Sequence, residues 1–127
     1  MHFDHAGIAT DDATALAELY TRLFGLEIAH EETFDGLRVV FLDCGNGYLE
    51  LLEPIEEGTI ANYLEGHGAG IHHLALATDD IEAALATARD HDVTPIDDEP
   101  RPGAWGHEVA FLHPTDTGGI LIEFVQH

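Results

Sequence analysis

One feature limits what this chain can fold into more than any other: it repeats itself. Phe3-Asp4-His5-Ala6-Gly7-Ile8-Ala9-Thr10-Asp11-Asp12 returns as Ile71-His72-His73-Leu74-Ala75-Leu76-Ala77-Thr78-Asp79-Asp80. His5 falls on His73, and Ala-Thr-Asp-Asp falls on itself. Val39-Val40-Phe41-Leu42 matches Val109-Ala110-Phe111-Leu112, and Tyr48-Leu49-Glu50-Leu51-Leu52 matches Leu121-Ile122-Glu123-Phe124-Val125. Each half therefore keeps one histidine and one glutamate inside an apolar strand. Structural units that repeat in sequence usually bury their faces against one another. The 127 residues are expected to form a single domain built from modules 1–66 and 67–127.

The local signals give both modules the same order. Residues 3–9 read as a strand, and Thr10-Asp11-Asp12 offers an N-cap with carboxylates at the positive end of a helix. Ala13, Leu16, Ala17, Tyr20, Leu23 and Phe24 follow the helical period up to Gly25. After Leu26-Glu27-Ile28, strands 37–43 and 48–53 flank a Gly45-Asn46-Gly47 turn. Residues 54–70 connect the modules, with a short helix over Thr59 to Glu65. The second module predicts a strand over 71–77, a helix buried through Ile81, Ala84, Leu85 and Ala88, and strands near 93–97, 107–112 and 119–125. The fold class is α+β: two βαβββ modules related by a pseudo-two-fold, with curled sheets enclosing a metal site.

Charge narrows the partners. Twenty-five acids stand against four arginines and no lysine, for a net charge of −21. Such a chain does not suit nucleic acid or anionic membranes. Its periodic apolar runs, at 45% hydrophobic residues, do not suit disorder. A hydrated acidic shell around a packed core is the composition of a protein from a salt-rich cytoplasm, where ions screen self-repulsion. Neither an 18-residue apolar run nor a signal-peptide pattern is present, and a cytoplasmic location is expected. The single Cys44 has no partner for a disulfide and reads as a small buried residue.

Strand alternation sorts the polar candidates. Leu49 and Leu51 flank Glu50, while Ile122 and Phe124 flank Glu123, so both glutamates point away from the helices. His73 shares a face with Ala75 and Ala77, opposite His72, Leu74 and Leu76. His5 takes the equivalent face, with Gly7 beside it. Four such side chains facing one cavity make a site for a borderline divalent ion such as Co, Mn, Zn, Ni or Fe. A lone strand histidine is ordinarily a core residue, but a buried carboxylate needs a partner, and the repeat presents both twice. His2, His30, His67, His91 and His127 read as solvated, at ends or in loops. His107 and His113 border a hairpin and are candidates to line a pocket.

The segments Asp4-His5-Ala6-Gly7-Ile8-Ala9, Leu49-Glu50-Leu51-Leu52-Glu53-Pro54, Gly70-Ile71-His72-His73-Leu74-Ala75, and Val109-Ala110-Phe111-Leu112-His113-Pro114 with Gly118-Gly119-Ile120-Leu121-Ile122-Glu123 carry a resemblance. The chain resembles the vicinal-oxygen-chelate superfamily over essentially its whole length, and within it the methylmalonyl-CoA epimerase family. The resemblance places the family's metal ligands on His5, Glu50, His73 and Glu123. It implies inversion at the carbon between a thioester and a carboxylate, with a divalent ion stabilising the enolate and Glu50 and Glu123 serving opposite faces. A homodimer is also implied. Thr115-Asp116 stands where Lys-Ser is common in the family, and Val39 stands where one relative has a proposed second base.

The substrate implied is a CoA thioester, and its anionic groups must be received by very few cations. Arg22 and Arg89 ride on helices, leaving Arg38 and Arg101, with His113, as the expected substrate contacts. Two alternatives share the four ligands or their cavity. One is a glyoxalase-type lyase acting on a thiol adduct, the other a small-molecule-binding protein without catalysis.

Overall fold

A computed structural model describes all 127 residues. The chain divides into two compact units, one of His5–His72 and one of Met1–Asp4 with His73–His127. No helix is long and apolar enough to cross a membrane.

The first unit contains β1 (His2–Ala9, from His5 onward), α1 (Ala13–Phe24), β2 (Glu27–Phe34), β3 (Leu37–Asp43), β4 (Tyr48–Pro54) and α2 (Thr59–His67). Its strands lie in the order β2-β3-β4-β1. β1 runs parallel to β4, because α1 and the hairpins intervene, and the other pairs are antiparallel. Asp12 caps α1 by accepting from the Ala15 amide at 3.0 Å, and Gly25 ends it in the left-handed conformation at φ 70°. The buried side of α1, through Ala13 and Ala17, packs on Val40, Leu42 and Leu51. Leu51 is fully buried, and truncating such a leucine costs about 2–5 kcal/mol.

The second unit repeats the plan. It contains β5 (Gly70–Ala77, from His73), α3 (Ile81–Asp90), a two-residue β6 (Arg101–Pro102), β7 (Glu108–Phe111) and β8 (Ile122–Gln126). Short 3-10 turns cover Ala104–Gly106 and Pro114–Asp116. The strand order is β5-β8-β7-β6, with β5 parallel to β8. Asp80 caps α3 by accepting from Ala83 at 3.0 Å. Ile81, Ala84, Leu85 and Ala88 are buried against Ala110, Leu112 and Phe124. The α+β class and the β-α-β-β-β order of both modules are as the sequence predicts.

The repeat extends to bonds that the sequence does not announce. The Glu53 carboxylate at the end of β4 accepts from the first amide of α1, that of Ala13, at 2.8 Å. Gln126 at the end of β8 accepts from Ile81, the first residue of α3, at 2.9 Å. Each helix start is thus tied to the strand that carries its module's glutamate.

Several expectations need correcting. No regular strand forms over 93–97. Pro95 has no amide to donate, and only an isolated bridge to Leu112 forms there. The last strand begins at Ile122 instead of 119, because Gly118 and Gly119 turn the chain at φ 76° and 85°. The apolar stripe of α1 is not all core: Leu23 and Phe24 are 63% and 60% exposed. Cys44 is exposed at the β3–β4 hairpin. His30 lies within β2, not in a loop, and β2 continues to Phe34.

Candidate metal and active site

Within the first unit, register puts His5, Tyr48, Gly7 and Glu50 on one face of the β1–β4 pair. Phe41 of β3 sits directly across from Glu50 on that same face. His5 Nε2 lies 3.2 Å from Glu50 Oε1, and the side chains are only 5% and 8% exposed. The Phe41 ring meets the His5 imidazole edge-on, at 5.7 Å and 85°.

The second unit builds the same arrangement from its own strands. Glu123 lies across from Ala75 on β5 and from Phe111 on β7. His73 is on the face of Ala75, two residues along β5. Its Nε2 is 3.6 Å from Glu123 Oε1, again with both side chains buried. The Phe111 ring meets His73 edge-on at 5.5 Å and 85°. Each unit brings its own two sequence-predicted candidates together as a His–Glu pair, braced by a phenylalanine from the neighbouring antiparallel strand. The bracing rings were not singled out in the sequence, although the Val-X-Phe-Leu repeat was the signal for them.

These pairs suit a cation. Ligand atoms about 2.0–2.2 Å from a divalent ion, at tetrahedral or octahedral angles, lie about 3–3.5 Å from each other. The Nε2–Oε1 separations in both pairs fall close to that spacing. A carboxylate this deeply buried is costly unless a cation or donors face it. Neutral imidazole and carboxylate are also the donor set of a borderline metal.

The other candidates are placed differently. Arg38 pairs in register with Glu53 and not with Glu50, so alternation turns it to the α1 side of the sheet. There its Nε donates to Thr14 Oγ1 at 3.2 Å, and its Nη2 meets Glu31 at 3.0 Å. Arg101 stands on the face of Glu123, its guanidinium 5.5 Å from the centre of the Phe111 ring. His113 is exposed at the head of a 3-10 turn, and its amide donates to the Thr94 carbonyl. His72 packs against Tyr63 of α2 at 4.9 Å, on the helix side as alternation predicts. His107 lies against the His127 ring at 3.9 Å, with Trp105 stacked beyond it. His127, expected to be solvated, instead meets the buried Asp4 carboxylate through Nε2 at 2.6 Å.

One further pair was missed. His30 lies across from Phe41 and Glu32 across from Val39, on the face that carries Glu50. Their side chains are 3.6 Å apart and 27% exposed each. The Glu-Glu-Thr context of β2 gave no alternation by which to recognise it.

The fold and these pairs define a β-α-β-β-β protein with one buried His–Glu pair in each module, and comparison with known families agrees. The chain belongs to the glyoxalase/bleomycin resistance protein/dioxygenase superfamily, whose family model matches residues 2–124. It is 38% identical to the ethylmalonyl-CoA/methylmalonyl-CoA epimerase of Cereibacter sphaeroides, covering 97% of this chain and 96% of that one. Among solved structures, methylmalonyl-CoA epimerase from Mycobacterium tuberculosis superposes with a TM-score of 0.93 at 33% identity, over 98% of this chain and 87% of that one. A Streptomyces coelicolor methylmalonyl-CoA epimerase variant in complex with 2-nitronate-propionyl-CoA superposes with a TM-score of 0.91 at 38% identity, over 99% and 96%.

Proposed function

We propose that this chain is a metal-dependent methylmalonyl-CoA epimerase that interconverts the (R) and (S) epimers by moving the α-proton from one face to the other. The observation that carries this reading is the buried His–Glu pair that recurs in both modules, in a chain that methylmalonyl-CoA epimerases match along nearly its full length. The two pairs, His5 with Glu50 and His73 with Glu123, are assigned to one divalent ion. When bound, that ion supplies a Lewis acid for the oxygens flanking the α-carbon.

The chain's own residues do the rest. The α-proton of a thioester that also bears a carboxylate is weakly acidic, so a carboxylate placed on it must act where water is excluded. Glu50 and Glu123 are both 6% exposed, and each is the only acid on its strand directed to that face. One takes the proton and the other returns one to the opposite face. Phe41 and Phe111 hold the imidazoles edge-on, which fixes the rings without using their nitrogens.

The acidic composition supports a salt-rich cytoplasm as the working environment, where screening eases the approach of CoA phosphates. A homodimer is supported by Leu19, Leu23 and Phe24, which leave the end of α1 apolar and exposed. The glyoxalase-type and non-catalytic readings share the superfamily, but the epimerases that match nearly the whole chain favour the epimerase reading.

The deciding experiment follows deuterium into the α-position of methylmalonyl-CoA by NMR, with and without chelator. Exchange with inversion that chelator abolishes and added divalent ion restores is the expected result. Protein that binds a divalent ion yet exchanges nothing at that carbon would overturn the reading.

A further inference from the structure

We propose that Asp97 is a positioning residue that holds the Arg101 guanidinium above Phe111, where it receives the free carboxylate of the acyl group. This rests on the epimerase reading and names how the second module recognises its substrate.

The Asp97 carboxylate does two things at once. Its Oδ2 accepts from the Phe111 amide of β7 at 2.8 Å, and its Oδ1 accepts from Arg101 Nε at 2.9 Å. One side chain therefore stands in for a ladder bond that the 93–97 segment does not make, and uses its second oxygen to orient a cation. The guanidinium then lies 5.5 Å from the Phe111 ring centre, and that ring contacts His73 edge-on. A single aromatic side chain separates Arg101 from a proposed ligand. Register agrees: Arg101 is across from Val109, which packs with Ala75, Ala77 and Val125 on the face of Glu123.

The other arginines are engaged elsewhere. Arg22 Nε donates to the Glu18 carbonyl of its own helix, Arg38 is held by Thr14 and Glu31, and Arg89 donates to the Asp98 carbonyl at 2.6 Å. Arg101 is the one arginine on the Glu123 face. Its fork carries five N–H donors, and Asp97 uses one of them. The remaining donors suit a carboxylate in two-point contact. Stability is a weak explanation for the pair, since Arg101 is 47% exposed and such ion pairs contribute little. Orientation accounts for it better, because a free arginine samples many rotamers.

The test uses D97N, R101Q and the double variant in otherwise intact protein. In D97N the amide oxygen still accepts from Phe111, while the oxygen facing Arg101 is lost. Wild-type turnover of methylmalonyl-CoA is the control for the underlying reading, and its failure would be read there alone. With that control met, D97N is expected to melt within a few degrees of wild type and to keep its metal content. KM should rise about tenfold in D97N and R101Q, with kcat within about twofold, and the double variant should be no worse than R101Q. The same ratios should hold for methylmalonyl-pantetheine, which keeps the carboxylate and lacks the CoA phosphates. Unchanged KM in D97N, additive losses in the double variant, or an effect that vanishes on the pantetheine thioester would each overturn the proposal.

Discussion

His5 and His73 each present Nε2 to a glutamate and an edge to a phenylalanine. At this scale the sequence was informative wherever strand alternation met the repeat, since a shared period places a side chain on a face without any knowledge of its contacts. The same rule, applied to Arg38, turns it away from Phe41 and Glu50; that signal was present in Leu37-Arg38-Val39. Asp97 was not legible, because a carboxylate in Asp97-Asp98-Glu99 looks like any solvated acid until its two acceptor bonds are seen. The residue-level prediction concerns the glutamates. An amide oxygen still coordinates but cannot take a proton, so Glu50→Gln and Glu123→Gln should keep most of the bound metal and lose turnover by about 10²–10⁴-fold. If the two serve opposite faces, one variant washes deuterium into a single epimer without inverting it. Near wild-type epimerisation by Glu50→Gln would make Glu50 a ligand only.

At the scale of elements, helix boundaries and most long strands were readable from caps, glycines and period, but β2 beyond Ile28 was not, because its mostly polar residues show no alternation. The region 93–102 was not readable either. Its backbone follows the sheet through Ile96 donating to the Phe111 carbonyl at 2.7 Å and through the Asp97 side chain, and side-chain substitution for a ladder leaves no period behind. Gly103 is needed there for space: a Cβ would stand 2.6 Å from Val109 Cγ1. Gly103→Ala should therefore destabilise by about 1–3 kcal/mol through overpacking, read as a lower denaturant midpoint at unchanged m. The paired caps make a matched test. Asp12→Ala and Asp80→Ala each remove one bond to a helix amide and should each cost about 1 kcal/mol. Glu53→Ala and Gln126→Ala remove the bond to the first helix amide and should cost a similar amount. A large cost in only one module would mean that the other module's helix is held by packing and not by its cap.

For the molecule as a whole, the acidic composition leads to a prediction about salt. Of four arginines, two are in ion pairs with carboxylates, Arg38 with Glu31 and Arg101 with Asp97. Salt weakens those pairs, but exposed pairs contribute about 0–1 kcal/mol each. Against them stands the mutual repulsion of 25 acidic residues with a net charge of −21, in runs such as Asp97-Asp98-Glu99 and Glu56-Glu57. The screening length falls from about 10 Å at 0.1 M to about 3 Å at 1 M, comparable to the spacing within such a run and shorter than that between runs. Repulsion between runs therefore disappears first, and the balance favours stabilisation. A gain of about 3 kcal/mol corresponds to a rise of about 10 °C in the midpoint for a chain of this size. Thermal melting in KCl from 0.1 to 2 M should show at least that rise, with most of it below 1 M, where screening changes fastest. KCl is the right salt because it adds little of the surface exclusion by which sulfate stabilises proteins generally. A flat midpoint across the series would mean that the acids are too dispersed to repel, and the assignment to a salt-rich cytoplasm would fall while the paired His–Glu site stood unchanged.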